Sequence, residues 1–150
     1  MSYRLSMKSL SRLQGVKPEL VAVVKRAIEL TTQDFAVLEG LRSKATQAAY
    51  VAKGTSQTMN SYHLTGHAVD LVPYVNGAIS WDWKYFYPIA KAMKAAAKEL
   101  GVKLEWGGAW GKDMQTYDDP QKASADYVAS RKRIGKNAFI DGPHFQIPRN

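Results

Sequence analysis

The chain of 150 residues has no cysteine. This excludes disulfide staples, thiolate-bound zinc and thiol nucleophiles, and leaves His, Asp and Glu as the donors for any metal site. Histidine is itself scarce: of three copies, two lie inside SYHLTGHAVD (61–70) and one near the C-terminus in DGPHFQ (141–146). No apolar run is long enough to cross a membrane. The N-terminal MSYRLSMKSLSRLQGV alternates polar and apolar residues without the continuous core of a signal peptide. The expectation is a protein made in the cytoplasm, with neither a signal peptide nor a transmembrane segment. Internal repeats and low-complexity linkers are also missing.

What is present is ordinary globular material, 45% hydrophobic and 23% charged residues, enough for one core and too little for two. We therefore read 1–150 as a single domain. A net charge of +8 implies attraction to polyanions, whether nucleic acid, anionic lipid or an anionic cell envelope. The cations are scattered. Their one local concentration, ASRKRIGK (129–136), is read as a solvated helix end, and no aromatic-basic motif of a nucleic-acid binder accompanies it.

Periodicity places an amphipathic helix over 17–30, with Pro18 at its first turn and Leu20, Val23, Val24, Ala27 and Ile28 inward. FAVLEG (35–40) reads as a strand leading to a loop with Arg42, and helical character returns over 44–52 before Gly54. HAVDLVPYV and AISW flank Asn76-Gly77, a hairpin signal. Residues 83–101 form the clearest helix, with Phe86, Ile89, Ala90, Met93 and Ala97 inward. VKLEW is a strand, 119–135 a helix opened by Asp119-Pro120, and HFQIP a final strand. Without regular βαβ alternation, this predicts a small α+β fold: a mostly antiparallel sheet with flanking helices.

His63 and His67 stand four apart, the spacing of a helical zinc motif. Gly66 and the β-branched Thr65 and Val69 argue against a helix there, and HAVDLV reads as a strand on which His67 and Asp70 face opposite ways. The pair to consider is His63 with Asp70, converging through a turn at Thr65-Gly66. Taken alone, this is equally well a loop histidine and an aspartate capping backbone N–H groups. Asp141 and His144 need a bend at Gly142-Pro143 to serve one site, and those two residue types bend best. His63, Asp70 and His144 would then form a two-His, one-carboxylate set of the kind that holds catalytic zinc, with Asp141 nearby as the base.

SYHLTGHAVD matches the SxHxxGxAxD signature, and DGPHFQ the later signature, of the LAS zinc metallopeptidases. The matching branch comprises D-alanyl-D-alanine carboxypeptidases and L-alanyl-D-glutamate endopeptidases, and the chain most resembles its phage endolysins. VLEGLRSKATQAAYVAKGTS, DLVPYVNG and LEWGGAW extend the resemblance over most of 10–112 and the last dozen residues. It implies one Zn2+ per chain on His63, Asp70 and His144, Asp141 as general base, and Arg42 contacting substrate near the scissile carbonyl. His67 falls on a variable position. Gln47 and Ser61 are candidates for orienting ligands or substrate; of the tryptophans around Gly107-Gly108, Trp106 is expected in the core and Trp110 at the rim of the cleft.

The implied activity is hydrolysis of the L-alanyl-D-glutamate bond of the peptidoglycan stem peptide by a monomer that reaches the anionic cell envelope after release from the cytoplasm. The alternatives are D-alanyl-D-alanine carboxypeptidase action, or a non-catalytic zinc-containing wall-binding module, against which Asp141 argues. One departure stands out. In the endolysins it resembles, the GG-containing loop runs almost directly into the PHFQ motif, whereas residues 114–138 intervene here. An insertion of that length is expected to be structured, as a helical lid or a basic envelope contact.

Overall fold

The structure, a computed structural model that describes residues 3–54, 59 and 61–149, begins with a helix where the sequence showed only alternation. Helix α1 (Met7–Arg12) is capped by Ser6, whose side chain accepts from the Ser9 N–H. Its function is to seal a strand edge. Ser9 Oγ accepts from Val37 N at 3.0 Å and Arg12 Nη1 donates to Val37 O at 2.9 Å. At Val37, the middle of strand β1 (Phe35–Glu39), the outer backbone groups are thus partnered by side chains, which blunts an edge that could otherwise pair with another chain.

Helix α2 (Pro18–Leu30) buries the five residues expected of it. After β1, helix α3 (Lys44–Ala52) starts at Ser43, whose side chain accepts from Thr46 N; Thr55 and Ser56, which end the VLEGLRSKATQAAYVAKGTS stretch, lie outside the described residues. Strand β2 (Ala68–Val75) turns at Asn76-Gly77, with φ of 52° and 82°, into β3 (Ala78–Ile79). These two positive angles are what a type I′ hairpin requires, and Asn-Gly supplies them at least cost. The helix expected over 83–101 is divided. A 3-10 turn at Trp83–Tyr85, capped by Asp82, precedes α4 (Phe86–Leu100), which ends at Gly101.

Strand β4 shortens to Glu105–Trp106, helix α5 (Pro120–Arg133) opens at Asp119, and β5 spans His144–Gln146. The sheet order is β1-β2-β5-β4, with β3 on β2 and every pairing antiparallel. This is the expected α+β architecture.

Alternation along β2 divides the sheet's two faces. Val69 and Leu71 join Phe35, Val37, Trp106 and Phe145 in the core, against Val23, Val24, Ile89 and Met93 of α2 and α4. Each such aliphatic side chain, fully buried, contributes about 1.5–3 kcal/mol relative to exposure. That core anchors the sheet. Asp70, on the opposite parity, is left to the other face.

Candidate metal centre

His63 sits in a 3-10 turn, Tyr62–Thr65, whose N-cap Ser61 accepts from His63 N at 3.2 Å. The turn ends at Gly66 with φ of 76°, and a Cβ added there would lie 2.3 Å from the Gly15 carbonyl oxygen. Glycine is needed on both counts, and its turn redirects the chain into β2. The ring is oriented by Gly40, whose carbonyl oxygen lies 2.8 Å from Nδ1. A carbonyl can only accept, so Nδ1 carries the hydrogen. In the neutral ring a metal ligand needs, His63 Nε2 then carries the lone pair, 3.3 Å from Asp70 Oδ1.

His144 reaches the same oxygen from the other side. Asp70 and His144 are direct partners in the β2–β5 register, which puts their side chains on one face at short range. The bend that delivers Asp141 beside them is clamped at several points. Trp106 Nε1 donates to Gly142 O at 2.8 Å, Gly107 N donates to His144 O, and Asp141 N donates to Gly107 O, each also at 2.8 Å. A Cβ at Gly107 would lie 2.3 Å from the Asp141 carbonyl oxygen, so this approach also demands glycine.

The tautomer of His144 follows from its neighbours. Gln146 Nε2 donates to Glu105 Oε2 at 2.5 Å, which turns the amide oxygen toward His144 Nε2, 2.8 Å away. Since that oxygen accepts, Nε2 carries the hydrogen, and in the neutral ring Nδ1 presents its lone pair, 3.4 Å from Asp70 Oδ1. Glu105 and Gln146 face each other across β4 and β5.

Three electron-pair donors thus converge, all within 4.8 Å of one another, and Asp70 Oδ1 is buried without a hydrogen-bond donor. Lone pairs do not face lone pairs without a proton or a metal cation among them. Two imidazole nitrogens and one carboxylate oxygen suit a divalent transition ion, with both rings held by hydrogen bonds from behind. Burial pushes the Asp70 carboxyl up, but when a proton stands between the donors in place of a metal ion, hydrogen bonds and charges from His144 and His63 outweigh it and hold the group well below the carboxylate range. Asp141 is pushed up to about 6, chiefly by burial and then by the negative charge of Asp70.

A bulge in β1 brings a fourth carboxylate. The register passes from Val37 opposite Leu71 to Glu39 opposite Asp70, so Leu38 drops out of the pairing. Two carboxylates side by side repel, and Arg42 lies between them. Its Nε donates to Glu39 at 2.5 Å, its Nη1 to Gln47 Oε1 at 2.6 Å, and its Nη2 lies 3.7 Å from Asp70 Oδ2. Tyr50 closes this side, donating to Glu39 at 3.1 Å with its ring under the guanidinium. Trp110 covers the other side: its ring lies against His144, centroids 5.1 Å apart, while Trp106 is fully buried.

All the sequence-predicted candidates therefore gather around one centre, Ser61 and Gln47 through the residues they orient. His67 points away, with Nδ1 2.7 Å from Thr65 Oγ1. Sequence reading missed Glu39, the Gly40 carbonyl, Glu105 and Gln146. For Gln146 a signal existed, since two positions along a strand from His144 is the same face; the others depend on the bulge and on cross-strand register.

The profile of the phage L-alanyl-D-glutamate peptidases matches residues 1–147. The L-alanyl-D-glutamate peptidase of Escherichia phage T5 is 39% identical over 130 residues, covering 84% of this chain and 95% of that protein. That of Listeria phage A118 is 32% identical over 143 residues, covering 93% of this chain but 41% of that longer protein. Among solved structures, the Serratia marcescens L-Ala D-Glu endopeptidase ChiX superimposes with a TM-score of 0.76 at 39% identity, over 98% of this chain and 91% of that one. With a match along nearly its whole length, the chain belongs to the phage L-alanyl-D-glutamate peptidase family.

Proposed function

We propose that the protein is a zinc-dependent endolysin that hydrolyses the L-alanyl-D-glutamate bond of the peptidoglycan stem peptide. The observation that carries this reading is the convergence of His63 Nε2 and His144 Nδ1 on Asp70 Oδ1, each ring fixed in the tautomer a metal ligand needs. Zinc, when bound there, acts as a Lewis acid for the scissile carbonyl and acidifies water. Asp141, with its affinity for a proton raised toward neutrality, accepts the proton of the attacking water. It then delivers that proton to the D-glutamate nitrogen as the bond to the L-alanine carbonyl carbon breaks.

Arg42 holds Asp70 in place and sets a permanent positive charge beside the site where carbonyl oxygen becomes negative. Trp110 forms a wall for the peptide, and Ser61 and Gln47 act by holding His63 and Arg42. The names of the relatives support the choice of bond. The protein works as a monomer on the anionic envelope after release from the cytoplasm.

Mass spectrometry of digested muropeptides, with and without a chelator, tests the reading. Products ending in L-alanine and beginning with D-glutamate, lost on chelation and restored by zinc, are expected. Free D-alanine would instead establish a carboxypeptidase, and no product from a zinc-loaded sample a binding module. Asp141→Ala should abolish cleavage while leaving zinc content intact.

A further inference from the structure

The segment 114–138 has so far no part in the reaction. It forms a 3-10 turn, Met114–Thr116, and then α5, whose surface is largely exposed, with Pro120 and Ser124 its buried residues. Its C-terminal turn carries Arg131, Lys132 and Arg133, whose charges suit the helix dipole. The three are not equivalent. Lys132 and Arg133 are exposed, whereas Arg131 is half-buried, and its Nε donates to Asn137 O at 3.1 Å as the chain folds back through Gly135 (φ 70°).

That returning loop is tied to the metal centre. Trp110 Nε1 donates to Phe139 O at 2.8 Å, and the same indole lies against His144. Trp110 is therefore a shared wall: its ring packs against His144, and it also lines a groove of about 600 Å³. Tyr127, Phe139 and Trp110 give the groove aromatic sides; Arg131 and Lys136 give it two cations, and no acidic side chain lines it. Among the described residues, Arg131 has no carboxylate partner in an ion pair, so the terminal nitrogens of its guanidinium remain for a ligand. A half-buried guanidinium anchored by Nε presents a fixed fork that fits a carboxylate.

Substrate chemistry supplies such a group. Glutamate has two carboxyl groups, and when the peptide continues through one the other is left free and ionised. It lies on the leaving-amine side of an L-alanyl-D-glutamate bond, a few bonds from the scissile nitrogen. We propose that this groove is a substrate subsite in which Arg131, assisted by Lys136, binds the free carboxylate of the D-glutamyl residue. The reading rests on the proposed bond specificity. The insertion thereby extends the metal centre with a specificity element.

Two synthetic stem peptides, identical except that one carries the free D-glutamyl carboxylate and the other the carboxamide, test it. Wild type should cleave the carboxylate peptide with a kcat/KM about tenfold higher, expressed mainly in KM, as expected for one charge-assisted contact. Arg131→Gln should bring that ratio close to one. Lys132→Gln, which removes the same charge from the exposed side of the helix, should keep it.

A wild-type ratio near one, a ratio retained in Arg131→Gln, equal losses on both peptides, or the same collapse in Lys132→Gln would each overturn the subsite. The last result would assign the cations to general envelope attraction. Calorimetric titration of zinc-loaded Asp141→Asn with both peptides reads binding without turnover. If wild type cleaves neither peptide the bond assignment fails, and the titration still decides the subsite: tighter binding of the carboxylate peptide, abolished by adding Arg131→Gln, supports it, and equal binding refutes it.

Discussion

Replacing Asp141 by asparagine should make the metal-free protein more stable and the enzyme inactive. The Asp141 carboxyl is raised from 3.8 to about 6 by burial and by the charge of Asp70. Its ionised form is thus penalised in the folded chain. At about 1.4 kcal/mol per unit, the upper bound is about 3 kcal/mol, and coupling to Asp70 and the histidines makes about 1–3 kcal/mol the realistic range. For a chain of this length that is roughly a 2–10 °C rise in Tm.

The sign follows from linkage. A carboxyl with a raised folded pKa gives its stabilisation below the unfolded value, and loses it as pH rises through the folded one. The Tm advantage of Asp141→Asn, measured by calorimetry after chelation, should therefore be full at about pH 7.5 and absent below about pH 4. With zinc bound, the metal's own charge offsets the penalty and the gap should narrow. Loss of the base should cost about 10²–10⁴-fold in kcat. An asparagine variant less stable than wild type at neutral pH, or one retaining near-normal turnover, would refute the electrostatic reasoning or the base assignment respectively.

Glu105→Ala should let the Gln146 amide rotate and release the His144 tautomer, weakening zinc about 10- to 100-fold in a chelator competition; unchanged affinity would remove Glu105 from the support of the metal centre. Gly107→Ala places a methyl 2.3 Å from the Asp141 carbonyl oxygen, and overpacking of about 1–3 kcal/mol should appear as a lower denaturation midpoint together with lost activity. The net charge of +8 predicts that binding to intact walls weakens as salt shortens the Debye length from about 10 Å at 0.1 M to about 3 Å at 1 M. Hydrolysis of a small soluble stem peptide should respond far less, and equal salt dependence would contradict an envelope-directed role for the charge.

Local pattern and chemistry made much of this molecule legible in the amino-acid sequence. The stripes of α2 and α4 are periodic because each faces one core; Asn76-Gly77 specifies its turn because both positions need positive φ. The candidate metal ligands were legible because cysteine is absent and histidine scarce, and because strand parity separates His67 from Asp70. A short N-terminal helix was not legible, since α1 exists to partner the edge of β1 through Ser9 and Arg12. Nor was the split at Trp83–Tyr85, where a local cap at Asp82 interrupts an otherwise continuous apolar period.

Side-chain identity and local spacing therefore determined which groups could hold a metal ion, and which one could move a proton. Tertiary structure decided how they are held. The β1 bulge brings Glu39 level with Asp70, the β4–β5 register gives Gln146 its Glu105, and Trp110 joins His144 to the loop that follows α5. These relations run between residues far apart in the chain, whose encounter depends on which strands pair, a choice made by burial of the whole sheet against α2 and α4 and absent from any local stretch of sequence.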